Sequence, residues 1–203
     1  MTLAEKTAEF EIAAEELLRA DLYDMLGALL ARPPTPELLA MVKGLSGDAS
    51  SLGQGISAMA RLASQLKPVA IEAEFNTLFI GLTRGELLPY ASYYMTGFLH
   101  EKPLAVLRTE MARLQIERAP NVFEPEDNIA SLCEMMAGLI RGRFGRIADL
   151  STQRDFFSAH VAPWAGHFFS DLEAAKASVF FAPVGTIGKA FMEIEREAFR
   201  MGV

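Results

Sequence analysis

Glu124, Glu126 and Asp127 stand within four consecutive positions, with Pro125 between the first two, directly before the apolar stretch IASLCEMMAGLI. Clustered carboxylates have two chemical uses. They can divide acid and base roles over a bound substrate, or they can accept the forked hydrogen bonds of a guanidinium group. A purely local use is open as well. Proline suits the first helical position, where its missing N–H has no partner to lose, and acids in a first turn oppose the positive end of the helix dipole. On that reading a helix starts at Pro125.

The residues after the acids are patterned for one face. Ile129, Leu132, Cys133, Met136, Leu139 and Ile140 recur at three- and four-residue steps, which lays them on a stripe turned toward a core. Arg141 and Arg143 fall near the negative end of that helix, and Gly142 and Gly145 can stop it. Cys133 is the only cysteine, so no internal disulfide forms, and its place on the stripe makes it a small buried hydrophobe.

The same helical period runs along the rest of the chain, and no alternating stretch bounded by turns reads as a strand pair. The fold class is all-α, a single-domain helical bundle over residues 1–203. A first helix carries Ile12, Leu17, Leu18, Leu22, Met25, Leu26, Leu29 and Leu30 and is closed by Pro33-Pro34. Thr35 caps a second at Pro36. A third takes in Ile56 to Leu66, after a glycine-rich segment. A fourth starts at Pro68, runs through Ile71, Phe75, Leu78 and Phe79, and ends at Gly81. The stretch GLTRGELLPYASYYMTGFLHEKP is then a long connection, of the kind that often carries function. A helix from Pro103 to Leu114 leads to the acidic segment, and two or three amphipathic helices complete the chain. The loop near 119–125 joins two helical halves. If it straightens as a hinge, the chain is a monomer able to form a domain-swapped dimer.

Composition limits the partners. A net charge of -7 disfavours nucleic-acid phosphates and favours a cationic ligand. Hydrophobic residues make up 51% and charged residues 22%, a globular balance, and 203 residues suffice for one substantial core. The N-terminal MTLAEKTAEFEIAAEELL scatters glutamates where a secretory leader needs a positive start and an apolar stretch. No run reaches the roughly 18 apolar residues of a membrane span. A cytoplasmic protein without stable membrane insertion is expected.

Catalytic and metal motifs are missing. His100, His160, His167 and Cys133 have no metal-ligand spacing, no glycine-rich loop ends in Lys-Ser or Lys-Thr, and no serine occupies a G-x-S-x-G elbow. No catalytic residue, no metal and no cofactor is assigned, and the chain is read as a binding protein rather than an enzyme.

Three stretches, in order, resemble the TorD/DmsD family of redox-enzyme maturation chaperones. They are FNTLFIG at Phe75 to Gly81 with the Pro89-Tyr90 to Tyr94 region, EPEDN at Glu124 to Asn128, and QRDFFSAHVAPW at Gln153 to Trp164. The second is similar to the family's E-P-x-D-H, with Asn128 where the family has histidine. The resemblance covers most of the chain from Phe75 to about Phe199. It implies a chaperone that binds the twin-arginine signal peptide of the apo-form of a molybdopterin oxidoreductase and assists cofactor insertion before export. By position it implies a peptide site at Phe75, Leu78, Phe79, Pro125, Asp127 and Asn128, to which the neighbouring Tyr90 and Glu124 are added as apolar contact and second acid. A twin-arginine signal joins two guanidinium groups to an apolar segment, so carboxylates beside apolar side chains are what its receptor needs. Asp127, with Glu124 or Glu126, is the expected arginine acceptor, and Met135, Met136, Tyr93 and Tyr94 add apolar contact. Trp164, Phe156 and Phe157 are assigned to the core, with His160 as a buried or capping partner. Two other readings stand beside this one: a small helical enzyme or nucleotide hydrolase using the acids, and a structural subunit attached to the oxidoreductase.

Overall fold

Capping chemistry sets most of the helix starts. In the computed structural model, which describes residues 12–120 and 122–202, Thr35 Oγ1 accepts the Leu38 N–H at 3.3 Å and Pro36 occupies the first turn of α2 (Pro36–Lys43). Upstream, α1 (Ala14–Ala31) ends before the two prolines. The start of α3 (Ser51–Gln65) lies earlier than its apolar pattern suggests. Ser50 Oγ accepts the Gly53 N–H at 3.1 Å, and Gly53 and Gly55 are buried within the helix. Gly55 belongs there for a packing reason, since a Cβ on it would stand 2.8 Å from Ile187 on the last helix.

Pro68 opens α4 (Pro68–Phe75), which widens into a π-helical turn at Asn76–Ile80 and stops at Gly81, whose φ of 63° is in the left-handed region. The long connection holds one short helix, α5 (Ala91–Thr96), before α6 (Lys102–Arg113). Then come α7 (Ile129–Arg141), α8 (Leu150–Phe156) with a second π-helical turn at Phe157–Val161, α9 (Ala165–Ala174) and α10 (Phe181–Met201). Among the described residues there is no strand, and the helices share one core cluster, in agreement with the all-α single-domain bundle. The residues read as lacking a leader lie largely in 1–11, outside the described residues, as does Asn121 in the expected hinge.

The acidic segment corrects one expectation. The helix begins at Ile129, not at Pro125, because Asn128 is the better cap: its backbone is extended and its Oδ1 accepts the Ala130 N–H at 2.9 Å. Residues 125–128 form a turn closed by Asn128 N–H to the Pro125 carbonyl at 3.1 Å. No acid lies in the first turn of α7, so helix-dipole compensation does not account for Glu124, Glu126 and Asp127.

α1 packs along α7, α9 along α10, and α3 on α10. The α1–α7 contact is reinforced by Asp24, whose carboxylate accepts from Arg143 at 2.6 and 2.7 Å and from Arg141 Nε at 3.2 Å. α1 also reaches α10 through a buried ion pair. Arg19 donates from Nε and Nη2 to the two oxygens of Glu195 at 2.6 and 2.7 Å, and the Tyr23 hydroxyl donates to Glu195 Oε2 at 2.9 Å. The N-terminus of α10 is capped from a distance by Glu74 on α4, which accepts the N–H groups of Val179, Phe180 and Phe181 at 2.7 to 3.0 Å. Trp164, Phe156, Phe157 and Cys133 are buried as expected, and the Trp164 Nε1–H donates to the His160 carbonyl at 2.8 Å.

Candidate functional site

The acidic segment is joined to the long connection by a short antiparallel bridge between Tyr90 and Asn128. The Ala91 N–H donates to the Asp127 carbonyl at 3.0 Å and the Ile129 N–H to the Pro89 carbonyl at 2.9 Å. This bridge fixes the direction in which each acid points. Glu124 is exposed and accepts a hydrogen bond from the Tyr90 hydroxyl; burial, with Glu124 as an anionic acceptor, pushes the Tyr90 pKa up. Glu126 turns to α6 and α6's following loop, accepting from Arg108 Nε at 3.0 Å and lying 3.6 Å from Arg118. Burial works against its charge, but a hydrogen bond from its own backbone N–H and the two arginines hold its carboxyl below the usual range.

Asp127 takes a third direction. It is only 1% exposed, and its Oδ2 accepts the Ser92 N–H at 2.8 Å. Together with its carbonyl on the Ala91 N–H, it caps the first turn of α5 from outside that helix. Its other oxygen, Oδ1, is buried with no hydrogen-bond partner among the described residues, as is the neighbouring Ser92 Oγ. Asp127 lines a mainly apolar cavity of about 310 Å³ between α5, α6, α7 and the second π-helical turn. Met95, Val106, Leu107 and Leu132 form its walls, with Lys102 and His160 contributing the polar edge. Burial pushes the His160 pKa down, and Glu110 only partly offsets this. An unpaired buried carboxylate oxygen costs folding free energy on the order of 1–3 kcal/mol, a cost the fold carries at the edge of this cavity.

Five of the expected site residues therefore meet: Tyr90, Glu124, Pro125, Asp127 and Asn128. Phe75, Leu78 and Phe79 do not line this cavity. Phe75 and Leu78 are buried, and the rings of Phe75 and Phe79 both pack on Phe181 at 5.8 Å. Phe75 and Leu78 belong to the hydrophobic core and Phe79 is half-buried at its edge, away from the Asp127 cavity. Asp127, the expected arginine acceptor, has one of its two oxygens engaged by the Ser92 N–H. Ser92, Lys102 and Val106 were not foreseen as neighbours of the acids. Only the chain path places them there.

Among the described residues no group of three or more histidine, cysteine or acidic side chains is placed to hold a metal, and no helix is long and apolar enough to cross a membrane. Residues 46–170, more than half of the chain, match the family described as nitrate reductase delta subunit. Similar relatives include the chaperone protein TorD of Vibrio cholerae, 26% identical over 88% of this chain and 90% of that one. TorD of Aliivibrio fischeri is 24% identical over 91% and 96%. A crystal structure of a candidate redox enzyme maturation protein from Archaeoglobus fulgidus has the same fold, with a TM-score of 0.56 and 20% identity over 93% of this chain and 99% of that one. The chain belongs to the nitrate reductase delta subunit family, the TorD-like group of redox-enzyme maturation chaperones.

Proposed function

We propose that the protein is a cytoplasmic chaperone that binds the twin-arginine signal peptide of a molybdopterin-containing oxidoreductase and retains the apo-enzyme until its cofactor is inserted. The observation that carries this reading is the buried Asp127 oxygen without a partner on the wall of an apolar cavity. A peptide supplies both things that such a place lacks, an N–H donor and an apolar side chain. The TorD names of the relatives and the net charge of -7, suited to a cationic signal, support the same reading. Use of the acids as a catalytic pair has no such support: Glu124, Glu126 and Asp127 engage Tyr90, Arg108 and Ser92 in three directions.

Calorimetric titration with a synthetic twin-arginine signal peptide tests the proposal. Saturable binding that weakens in a folded Asp127→Asn variant is expected. A peptide that gives no saturable heat with the wild-type protein rejects it. The family description as a delta subunit favours a second reading, lasting attachment to the mature oxidoreductase. Persistence of the pair through gel filtration after cofactor loading identifies that case.

A further inference from the structure

A second depression lies on the opposite side of the acidic segment from the Asp127 cavity, and Glu126 lines it. It is a groove of about 830 Å³ between the α1–α2 corner and the chain leaving α6, floored by α7. Its apolar lining includes three methionines, Met41 at 65% exposure on one wall and Met111 and Met135, each 6% exposed, on the other wall and the floor, beside Leu38, Ile116 and Phe144. Unbranched, polarizable methionine adapts to apolar segments of varied sequence.

Charge in the groove is unbalanced. Glu37, Glu117 and Glu134 line it and form no ion pair among the described residues, whereas Arg32 is the unpaired cation beside them; Arg118 and Arg143 are engaged by Glu126 and Asp24. Glu134 is the acid that α7 places on the floor of the groove. Its stem lies across Gly27 of α1, where an added Cβ would approach Glu134 Cγ to 3.1 Å, so the missing side chain at Gly27 makes the room. Burial and the nearby Asp24 push the Glu134 pKa up despite Arg143 and Arg32, which is the condition of a carboxylate that gains from an incoming cation.

We propose that this groove seats the client's signal segment, with Glu134 receiving an arginine and Met41, Met111 and Met135 covering the apolar residues that follow. The proposal rests on the signal-peptide reading and changes where the arginine is read, since Asp127 offers one buried oxygen and Glu126 already holds Arg108. The cavity then takes a single side chain or backbone donor, while the groove takes the length of the segment. Its size falls within the range of preformed ligand sites, roughly 300–1,000 Å³.

The test is a calorimetric titration of the full chain with a synthetic twin-arginine peptide, using Glu134→Gln and Met41→Ser. Both positions are exposed, and circular dichroism melts check that both variants fold. A loss of about tenfold in affinity is expected for Glu134→Gln, the size of one charge-assisted hydrogen bond, and a smaller loss of about threefold for Met41→Ser, which removes apolar contact. In a double-mutant cycle the Glu134→Gln loss should shrink when the peptide arginines become glutamine. Wild-type affinity in both folded variants, with Asp127→Asn still weakening binding, overturns the groove and leaves the chaperone reading standing. Absence of saturable binding by the wild-type protein overturns both.

Discussion

The Asp127 carboxylate accepts the Ser92 N–H at 2.8 Å, and by this contact a residue just ahead of α7 caps α5, 35 positions earlier in the chain. α5 has only six residues, too few to be stable on its own, so its order depends on this cap and on packing. Asp127→Ala is expected to destabilise the protein by about 1–2 kcal/mol, whereas Asp127→Asn keeps an acceptor for Ser92 and loses less. Thermal melts of the two variants check this, with equal losses counting against the capping role. The same pair makes Asp127→Asn, not the alanine variant, the sound probe of peptide binding.

The apolar period alone places most of the helices and the buried fate of Cys133, Trp164, Phe156 and Phe157. Local chemistry is equally informative where it is self-contained, as at Thr35-Pro36 and Gly142. It misleads at Pro125, where two helix-start signals compete and the asparagine three residues later wins. The site is legible only in part. That acids matter near 124–128 is readable, but their three separate partners, Tyr90, Arg108 and Ser92, come from other segments, and sequence gives no distance between them. Glu134 is the sharper omission: on the helix it reads as an ordinary solvated residue, and only the approach of Gly27 from α1 shows it at the floor of a groove.

Asn128 stands where the resemblance has histidine, and its Oδ1 caps α7 through the Ala130 N–H at 2.9 Å. Asn128→Ala should cost about 1 kcal/mol, and Asn128→Ser, which restores a capping oxygen, should recover most of it. Chemical denaturation of the three proteins measures the difference. Asparagine does not titrate, so Asn128→His is expected to add a step in peptide affinity near pH ~6.5 that wild type lacks, with weaker binding on the acid side as the imidazolium repels the arginines. Identical pH profiles for the two proteins would separate residue 128 from the peptide.

Arg19 and Glu195 connect the first and last helices, and Glu195 is fully buried. Removing the arginine leaves that carboxylate uncompensated, apart from the Tyr23 hydroxyl and its packing. Arg19→Met is therefore expected to cost about 3 kcal/mol, the low end for a buried pair because Arg19 itself retains some solvent contact. In a domain of this size that lowers Tm by roughly 6–12 °C. The double variant Arg19→Met, Glu195→Leu should regain much of the loss, since no lone charge is then buried. A double variant as unstable as Arg19→Met would show that packing at α10, not charge, sets the cost.

His160 lines the Asp127 cavity on the second π-helical turn, 5.0 Å from the Phe156 ring. Burial lowers its pKa below the ordinary value of 6.5, with the charge of Glu110 acting in the opposite sense. The unfolded chain thus binds a proton at a higher pH than the native one, and wherever the unfolded state holds more protons stability rises with pH. Acid should accordingly begin to destabilise the protein as pH falls below ~6.5, with the loss growing until the folded-state pKa is passed. Glu110, held low by its hydrogen bond from Arg113, loses its contribution only as pH falls through its own depressed carboxylate range, so the two effects occupy different windows. Denaturation free energies at pH 7.5, 6.5 and 5.5 should decline for wild type and decline less for His160→Gln, which cannot charge. Parallel slopes for the two proteins would place the acid sensitivity elsewhere in the molecule.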